Sequence, residues 1–358
     1  MKIDEHKTIK VLYCASTSSH LTNFHLPYIQ WLSENGCEVA TLTNDGQAVP
    51  FAANSDKAGF TKKLFSPQNV RGILEVKRKL TKSRYTIVVT NTTLAGAVVR
   101  AAVRLLPKQN RPKVLHICHG FLFNNKDGLK KWLYLMPERV CAKVTDVFAV
   151  MNRESEGIAT RYKLGKQIVF THGMGLDAAR FSAAETAGGI FKFVYIAEFS
   201  ARKNQSALIK AFAKAADKMP DARLVLAGDG AMLDECKQLA HDLCIAERAD
   251  FPGYVADVPA LLKSSDVAVS TSRYEGLPFN IMEAMASGMP VVASDIAGHS
   301  DLLERESLYQ TEAELENMLI MQYNQGRRRV EYGKTSRYTL ANVRSEWIEI
   351  LKSIFTEK

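Results

Sequence analysis

Arg273-Tyr274-Glu275-Gly276-Leu277-Pro278-Phe279-Asn280-Ile281-Met282-Glu283-Ala284-Met285-Ala286-Ser287-Gly288-Met289-Pro290-Val291-Val292 is the stretch that decides how this chain is read. The turn Gly276-Leu277-Pro278 opens a helix, because proline suits a first helical turn where its missing N–H costs nothing. The next amides, of Phe279, Asn280 and Ile281, have no intrahelical acceptor. Amides aimed out of a helix start, added to the helix dipole, make a seat for a phosphate group. Glu275 stands just before that seat, and Glu283 falls within the first two turns. One carboxylate can therefore reach what lies on one side of a bound diphosphate, and the other what lies beyond it. A nucleotide-sugar has that shape.

Outward from this stretch, short β-rich runs alternate with helical ones. In the first half the strands are read at Ile9–Cys14, Glu38–Thr43, Thr86–Thr90, Val114–Cys118 and Val147–Met151, with helices at Phe24–Asn35 and Leu94–Leu106. The second half restarts with strands at Phe191–Ala197, Arg223–Ala227, Val267–Ser270 and Pro290–Ser294, and helices at Gln205–Lys218 and Leu233–Leu243. Such alternation predicts parallel sheets with helices on both faces. A chain of 358 residues suits two domains rather than one core. Ala, Thr and Gly cluster without apolar periodicity near Ala183–Gly189, which places the expected division between residues 1–183 and 184–340, with an amphipathic stretch in 341–358. The fold class expected is α/β, two tandem doubly wound Rossmann-like domains. Such domains bind ligands at the carboxyl ends of their strands.

The order Glu275-x7-Glu283, then Ala286-x-Gly288-x-Pro290-Val291-Val292, resembles the donor motif of retaining glycosyltransferases of family 4. The resemblance is firm over the second half and looser over the first. It implies a two-domain B-type fold with a central cleft, an acceptor-binding first domain, a donor-binding second domain, and a C-terminal helix that packs back onto the first. It also implies roles. Glu283 would hold the ribose hydroxyls and Glu275 the transferred sugar. Gly276, Leu277, Pro278, Phe279 and Asn280 would line the diphosphate. Lys203, in Ser200-Ala201-Arg202-Lys203, is similar to the family lysine that meets that diphosphate. The family usually carries an arginine five or six positions earlier, where this chain has Glu198 and Ala197. Arg202 is the candidate replacement. His119, at the end of the strand Val114–Cys118, matches a family histidine close to the transferred sugar, whereas His116 within the strand reads as a core residue. Gly228, in Gly228-Asp229-Gly230, and Tyr254 and Val255, in the segment beside the base, complete the expected donor set.

The loop Ser16–His25 carries hydroxyls where the family often has glycines. Ser18, Ser19, His20 and Asn23 are expected to cap a helix and contact acceptor or phosphate. This run resembles a subgroup serving capsule or exopolysaccharide assembly. No His, Cys or acidic cluster has metal-ligand spacing, so no metal and no cofactor are expected.

Charge is uneven. Residues 1–180 hold 27 basic and 13 acidic side chains, net +14, whereas the remainder is net −5. A nucleic-acid partner would explain the basic half but not the donor string. An anionic membrane surface explains it better, with Lys126, Lys130 and Lys131 set around Trp132. The six cysteines show no Cys-x-x-Cys, no leader is read at the polar N-terminus, and no apolar run is long enough to span a bilayer. The expected location is cytoplasmic, peripheral to the inner face of the membrane. The partners expected are a nucleotide-sugar donor, with a lean to uracil, and a glycan or lipid-linked glycan acceptor. Two rival readings share the donor string: a non-catalytic nucleotide-sugar-binding subunit and a nucleotide-sugar epimerase of similar fold.

Overall fold

The computed structural model describes residues 9–61, 66–121, 123, 128–181 and 189–356. Two compact units divide the chain, Met1–Met174 with Val343–Lys358, and Gly175–Asn342. The division falls ahead of the expected 183/184. Leu176 bridges to Thr339 in parallel fashion, which ties the segment after Met174 to the second unit. Residues 183–188 of the run read as the boundary lie outside the described residues.

The first unit contains strands β1 (Lys10–Cys14), β2 (Glu38–Thr43), β3 (Asn54–Lys57), β4 (Ile87–Asn91), β5 (Lys113–Cys118), β6 (Val147–Val150) and β7 (Gln167–Phe170). Its helices are α1 (Ser18–Phe24), α2 (Leu26–Glu34), α3 (Pro67–Ser83), α4 (Thr93–Arg104), α5 (Gly128–Cys141) and α6 (Arg153–Tyr162). The sheet order is β3-β2-β1-β4-β5-β6-β7, with every pairing parallel. Central strands such as β1 and β4 are apolar because both faces are covered. The edge strand β3, Asn-Ser-Asp-Lys, is polar and exposed, so no apolar signal marks it in the sequence. The helix expected over Phe24–Asn35 is α2, Leu26–Glu34, and a separate helix, α1, precedes it. Pro27 has no N–H to continue a ladder from Asn23, so the chain breaks at His25 and starts again.

The second unit contains β8 (Phe191–Ile196), β9 (Ala222–Ala227), β10 (Ala249–Gly253), β11 (Val267–Ser270), β12 (Val291–Ser294) and β13 (Leu308–Tyr309). Its helices are α7 (Gln205–Ala215), α8 (Leu233–Asp242), α9 (Val258–Lys263), α10 (Phe279–Ala286), α11 (Ala297–Ser300) and α12 (Glu312–Gln325). The sheet is again parallel, in the order β10-β9-β8-β11-β12-β13. In both units the strand order reverses beside the first strand, between β1 and β4 and between β8 and β11. Crossovers diverge there and leave a crevice at the carboxyl ends, where doubly wound sheets bind ligands.

The last helix, α13 (Leu340–Thr356), runs from the end of the second unit and from Val343 onward packs in the first. Trp347 anchors it at 2% exposure, with its indole Nε1 donating to the Gly173 carbonyl at 2.7 Å and its ring edge-on to Tyr28. Glu346 accepts from the His172 backbone N–H at 3.1 Å and lies 2.6 Å from its Nδ1. Truncating a buried tryptophan loses its area and leaves a cavity. Trp347→Ala is therefore expected to cost about 3–5 kcal/mol in a urea melt of the full chain. Trp347→Phe should cost much less, and equal losses for both would point away from packing as the source.

Candidate active site

The second unit brings its predicted residues to the carboxyl ends of β8 and β11, the two strands that flank the reversal. Lys203 follows β8 and Glu275 follows β11. Lys203 Nζ lies 2.5 Å from Glu275 Oε1, and Arg202 Nη1 lies 2.8 Å from Oε2. Ser272 Oγ donates to Glu275 Oε1 at 2.7 Å. Burial alone would raise the Glu275 carboxyl, but Lys203 and Arg202 outweigh it and hold the group below its ordinary range. Burial likewise draws the Lys203 ammonium below its usual value, against the opposing pull of Glu275. Arg202 thus brings a second cation to this point, while Glu198, where the family usually carries arginine, is exposed.

The frame around this trio was not visible in the sequence. Tyr195 Oη donates to the Lys203 carbonyl at 2.9 Å and sits 2.9 Å from Ser272 Oγ. Thr271 Oγ1 donates to the Asn204 carbonyl at 2.9 Å. His299 is fully buried. Its Nδ1 donates to the Ser294 carbonyl at 2.8 Å, which leaves Nε2 to accept from Ser270 Oγ at 3.2 Å. Gly298 packs so closely that a Cβ there would come within 2.8 Å of the Glu275 carbonyl oxygen and 2.9 Å of that of Gly276. The only sequence signal for these groups was their place near strand ends.

Helix α10 starts at Phe279 with Pro278 as its N-cap, and no side chain caps it. Asn280 Oδ1 and Ser200 Oγ are buried and lack hydrogen-bond partners among the described residues. Gly276, Leu277 and Pro278 form the entry turn as expected from the sequence. Glu283 is half-buried in α10, and its carboxylate makes no hydrogen bond among the described residues. Gly228, at φ 141°, donates its N–H to the Gly253 carbonyl at 2.7 Å. A side chain at Gly228 would collide with the Ala197 carbonyl, so β8 and β9 meet there backbone to backbone. Tyr254 and Val255 follow the end of β10, with Tyr254 76% exposed.

In the first unit the loop after β1 differs from its reading. Ser18 is buried, and its Oγ donates to Asp45 Oδ1 at 2.7 Å. Its N–H also points to Asp45, at 3.1 Å from Oδ1. The chain's own carboxylate therefore takes the anion position at this helix start. Ser19 is exposed against Thr17, and Asn23 is exposed. His116 is a core residue, 2.9 Å from Thr90 Oγ1. His119 follows β5 and lies 3.4 Å from both His20 Nε2 and Asn91 Oδ1. His25 Nε2 lies 3.4 Å from His20 Nε2. Spacing along the sequence did not reveal this group, in which one ring nitrogen from each of His20, His25 and His119 lies within 4.8 Å of the others. Residues far apart in sequence meet because β1, β4 and β5 end side by side.

Burial pushes the Glu283 carboxyl up to about 7, against a smaller pull from Arg180. A group raised in the folded state stabilises it below the unfolded pKa, and that stability is lost as pH rises through the folded value. The unfolding free energy of the wild-type chain should therefore fall between about pH 5 and 8 relative to Glu283→Gln. Parallel pH profiles for the two proteins would show that Glu283 does not titrate in this window.

Comparison with known proteins identifies the family and the fold. Residues 180–314 match the family model for group 1 glycosyl transferases, and residues 26–171 match that for the glycosyl transferase 4-like domain. The putative glycosyltransferase EpsD of Bacillus subtilis is 32% identical over 313 residues, covering 83% of this chain and 81% of that protein. An Escherichia coli UDP-Gal:alpha-D-GlcNAc-diphosphoundecaprenol alpha-1,3-galactosyltransferase is 28% identical over 259 residues, covering 67% of this chain and 65% of its own length. Anabaena HepE, solved in complex with UDP and glucose, superposes with a TM-score of 0.74 at 17% identity, covering 96% of this chain and 100% of that one. Sucrose-phosphate synthase from Thermosynechococcus elongatus gives 0.78 at 17% identity, covering 97% and 99%. At that identity the structural likeness is one of fold. The chain belongs to the group 1, family 4 glycosyl transferases and is a glycosyltransferase.

Proposed function

We propose that this glycosyltransferase moves a sugar from a UDP-sugar to a hydroxyl of a lipid-linked glycan, with retention at the anomeric carbon, in the assembly of a bacterial surface polysaccharide. The observation that carries this reading is the trio Lys203, Arg202 and Glu275 at the strand reversal, followed directly in the chain by the start of α10, which no side chain caps and which carries Glu283. The printed activity of the Escherichia coli relative, which names both UDP-Gal and a diphosphoundecaprenol-linked sugar, supports the donor and acceptor classes. So does the UDP held by the HepE fold.

In this reading the bond from the anomeric carbon to the diphosphate oxygen breaks, and its electron pair stays on the leaving phosphate. The acceptor oxygen bonds to that carbon from the same face and passes its proton to the leaving oxygen. Lys203, Arg202 and the amides at the α10 start stabilise the departing charge by fixed electrostatics, with no metal ion on the diphosphate. Glu283 holds the ribose hydroxyls. Glu275 holds both cations and offers oxygens to the sugar, and His119 keeps the sugar-contacting role that its resemblance to the family histidine implies.

Membrane contact is proposed through α5. Leu129, Trp132, Leu133, Met136 and Val140 recur at helical spacing and are exposed, Leu129 at 90% and Trp132 at 43%. Lys131 sits beside Trp132 and Tyr162. Lys126 lies outside the described residues, as does the side chain of Lys130. An apolar stripe within the basic half suits the interface of an anionic bilayer. Among the described residues no helix is long and apolar enough to cross one.

Three measurements test these readings. Glu283→Ala should weaken UDP binding by roughly 1.5–3 kcal/mol in calorimetry, the worth of a charge-assisted hydrogen bond. His119→Ala should cut turnover while leaving UDP affinity nearly unchanged. Unaltered UDP affinity in the Glu283 variant would remove the ribose assignment. Separately, anionic vesicles should sediment the protein at low salt and release it at high salt, and Trp132→Glu with Met136→Glu should abolish sedimentation while the melting curve is retained. Equal binding to neutral vesicles would rule out the charge-assisted reading.

A further inference from the structure

Three histidines of the first unit form a cluster, of which the transfer proposed above uses only His119. His20, His25 and His119 aim their Nε2 atoms at one another, and one ligand atom from each lies within 4.8 Å of those of the other two. Two of the separations are 3.4 Å, from His20 to His119 and from His25 to His20. That is long for a hydrogen bond, since N–H donors prefer about 2.9–3.0 Å. It is the edge of a tetrahedron around a zinc-type ion, because zinc–nitrogen bonds of about 2.0–2.1 Å put neighbouring ligands about 3.3–3.4 Å apart. We propose that His20, His25 and His119 form a binding site for a divalent transition-metal ion of the zinc class.

The surroundings fit such an ion. Tyr13 Oη lies 3.2 Å from His25 Nδ1, where it can accept the Nδ1 proton and leave Nε2 as the ligand. A bond of this kind orients a ligating imidazole and raises its basicity. Asn91 Oδ1, 3.4 Å from His119 Nε2, is placed as an oxygen ligand, and its own Nδ2 donates to the Cys14 carbonyl at 3.1 Å. The supports are the ends of β4 and β5 and the helix that follows β1, so the ligands are held without a large loop having to close. A set of imidazoles with an oxygen suits zinc, copper or nickel rather than magnesium or calcium.

Binding here takes the lone pair of His119. If His119 contacts the transferred sugar as proposed above, the ion and that contact exclude each other, and the metal acts as a brake on transfer rather than as its cofactor. The binding itself does not depend on that role.

Cobalt(II) titration of the metal-free full-length protein tests the proposal, with visible absorption as the readout. One equivalent should give the intense bands of a low-symmetry nitrogen-ligated ion, and zinc should bleach them. His20→Ala, at a half-exposed position that tolerates truncation, should lower cobalt affinity on the order of 100-fold or more, because even loss of an outer-shell partner costs about 10–100-fold. Tyr13→Phe should fall within that outer-shell range. His241→Ala, at an exposed site of the second unit, should change nothing. Absence of saturable bands in the wild-type protein would overturn the proposal and leave a neutral histidine cluster. Bands that persist at full strength in folded His20→Ala would overturn it as well.

Discussion

A buried carboxylate held by two cations governs the second unit. Glu275 sits after β11, with Lys203 and Arg202 on its two oxygens and the Ser272 hydroxyl on one of them. A charge of this kind is tolerated away from water only because it is paired. Removing one partner from a buried pair typically costs about 3–5 kcal/mol, since it strands the other. In the transfer proposed above Lys203 therefore serves twice, in the integrity of the crevice and in meeting the diphosphate. The second cation lessens that conflict. With Arg202 on Oε2, Lys203 can turn toward a diphosphate without leaving Glu275 wholly unpaired.

The groups beneath this trio do less visible work. Tyr195, Thr271 and the buried His299 tie the ends of β8, β11 and β12 together through backbone carbonyls. Gly298 lets α11 approach the Glu275–Gly276 backbone more closely than any side chain would permit. A constellation that stabilises charge in a transition state must be placed before the charge develops. Here that placement comes from a shell with no reactive group of its own.

Periodicity made the central strands legible, because strands buried on both faces must be apolar throughout. It could not reveal β3, whose Asn-Ser-Asp-Lys sequence lies at an exposed edge, or β13, which is two residues long. The donor string was legible because its chemistry is local: a turn, a helix start and two carboxylates eight residues apart. The frame was not, since Tyr195, Ser272 and His299 meet only through tertiary contact. The loop after β1 shows the same limit in reverse. Its hydroxyls suit an anion site on paper, but Asp45, distant in sequence, fills the position that an anion would take.

The two crevices differ in their electrostatics although they arise from the same strand reversal. In the second unit the strand ends gather fixed charges of both signs, and each charge is held by its partner. In the first unit the corresponding ends gather imidazoles that burial keeps neutral, beside an asparagine rather than a carboxylate. A developing phosphate charge is better met by cations that are in place before it forms. A neutral polyhydroxyl group is better met by imidazoles, which both donate and accept. In the proposed reading, a division of labour between donor and acceptor halves follows from which side chains stand at equivalent strand ends.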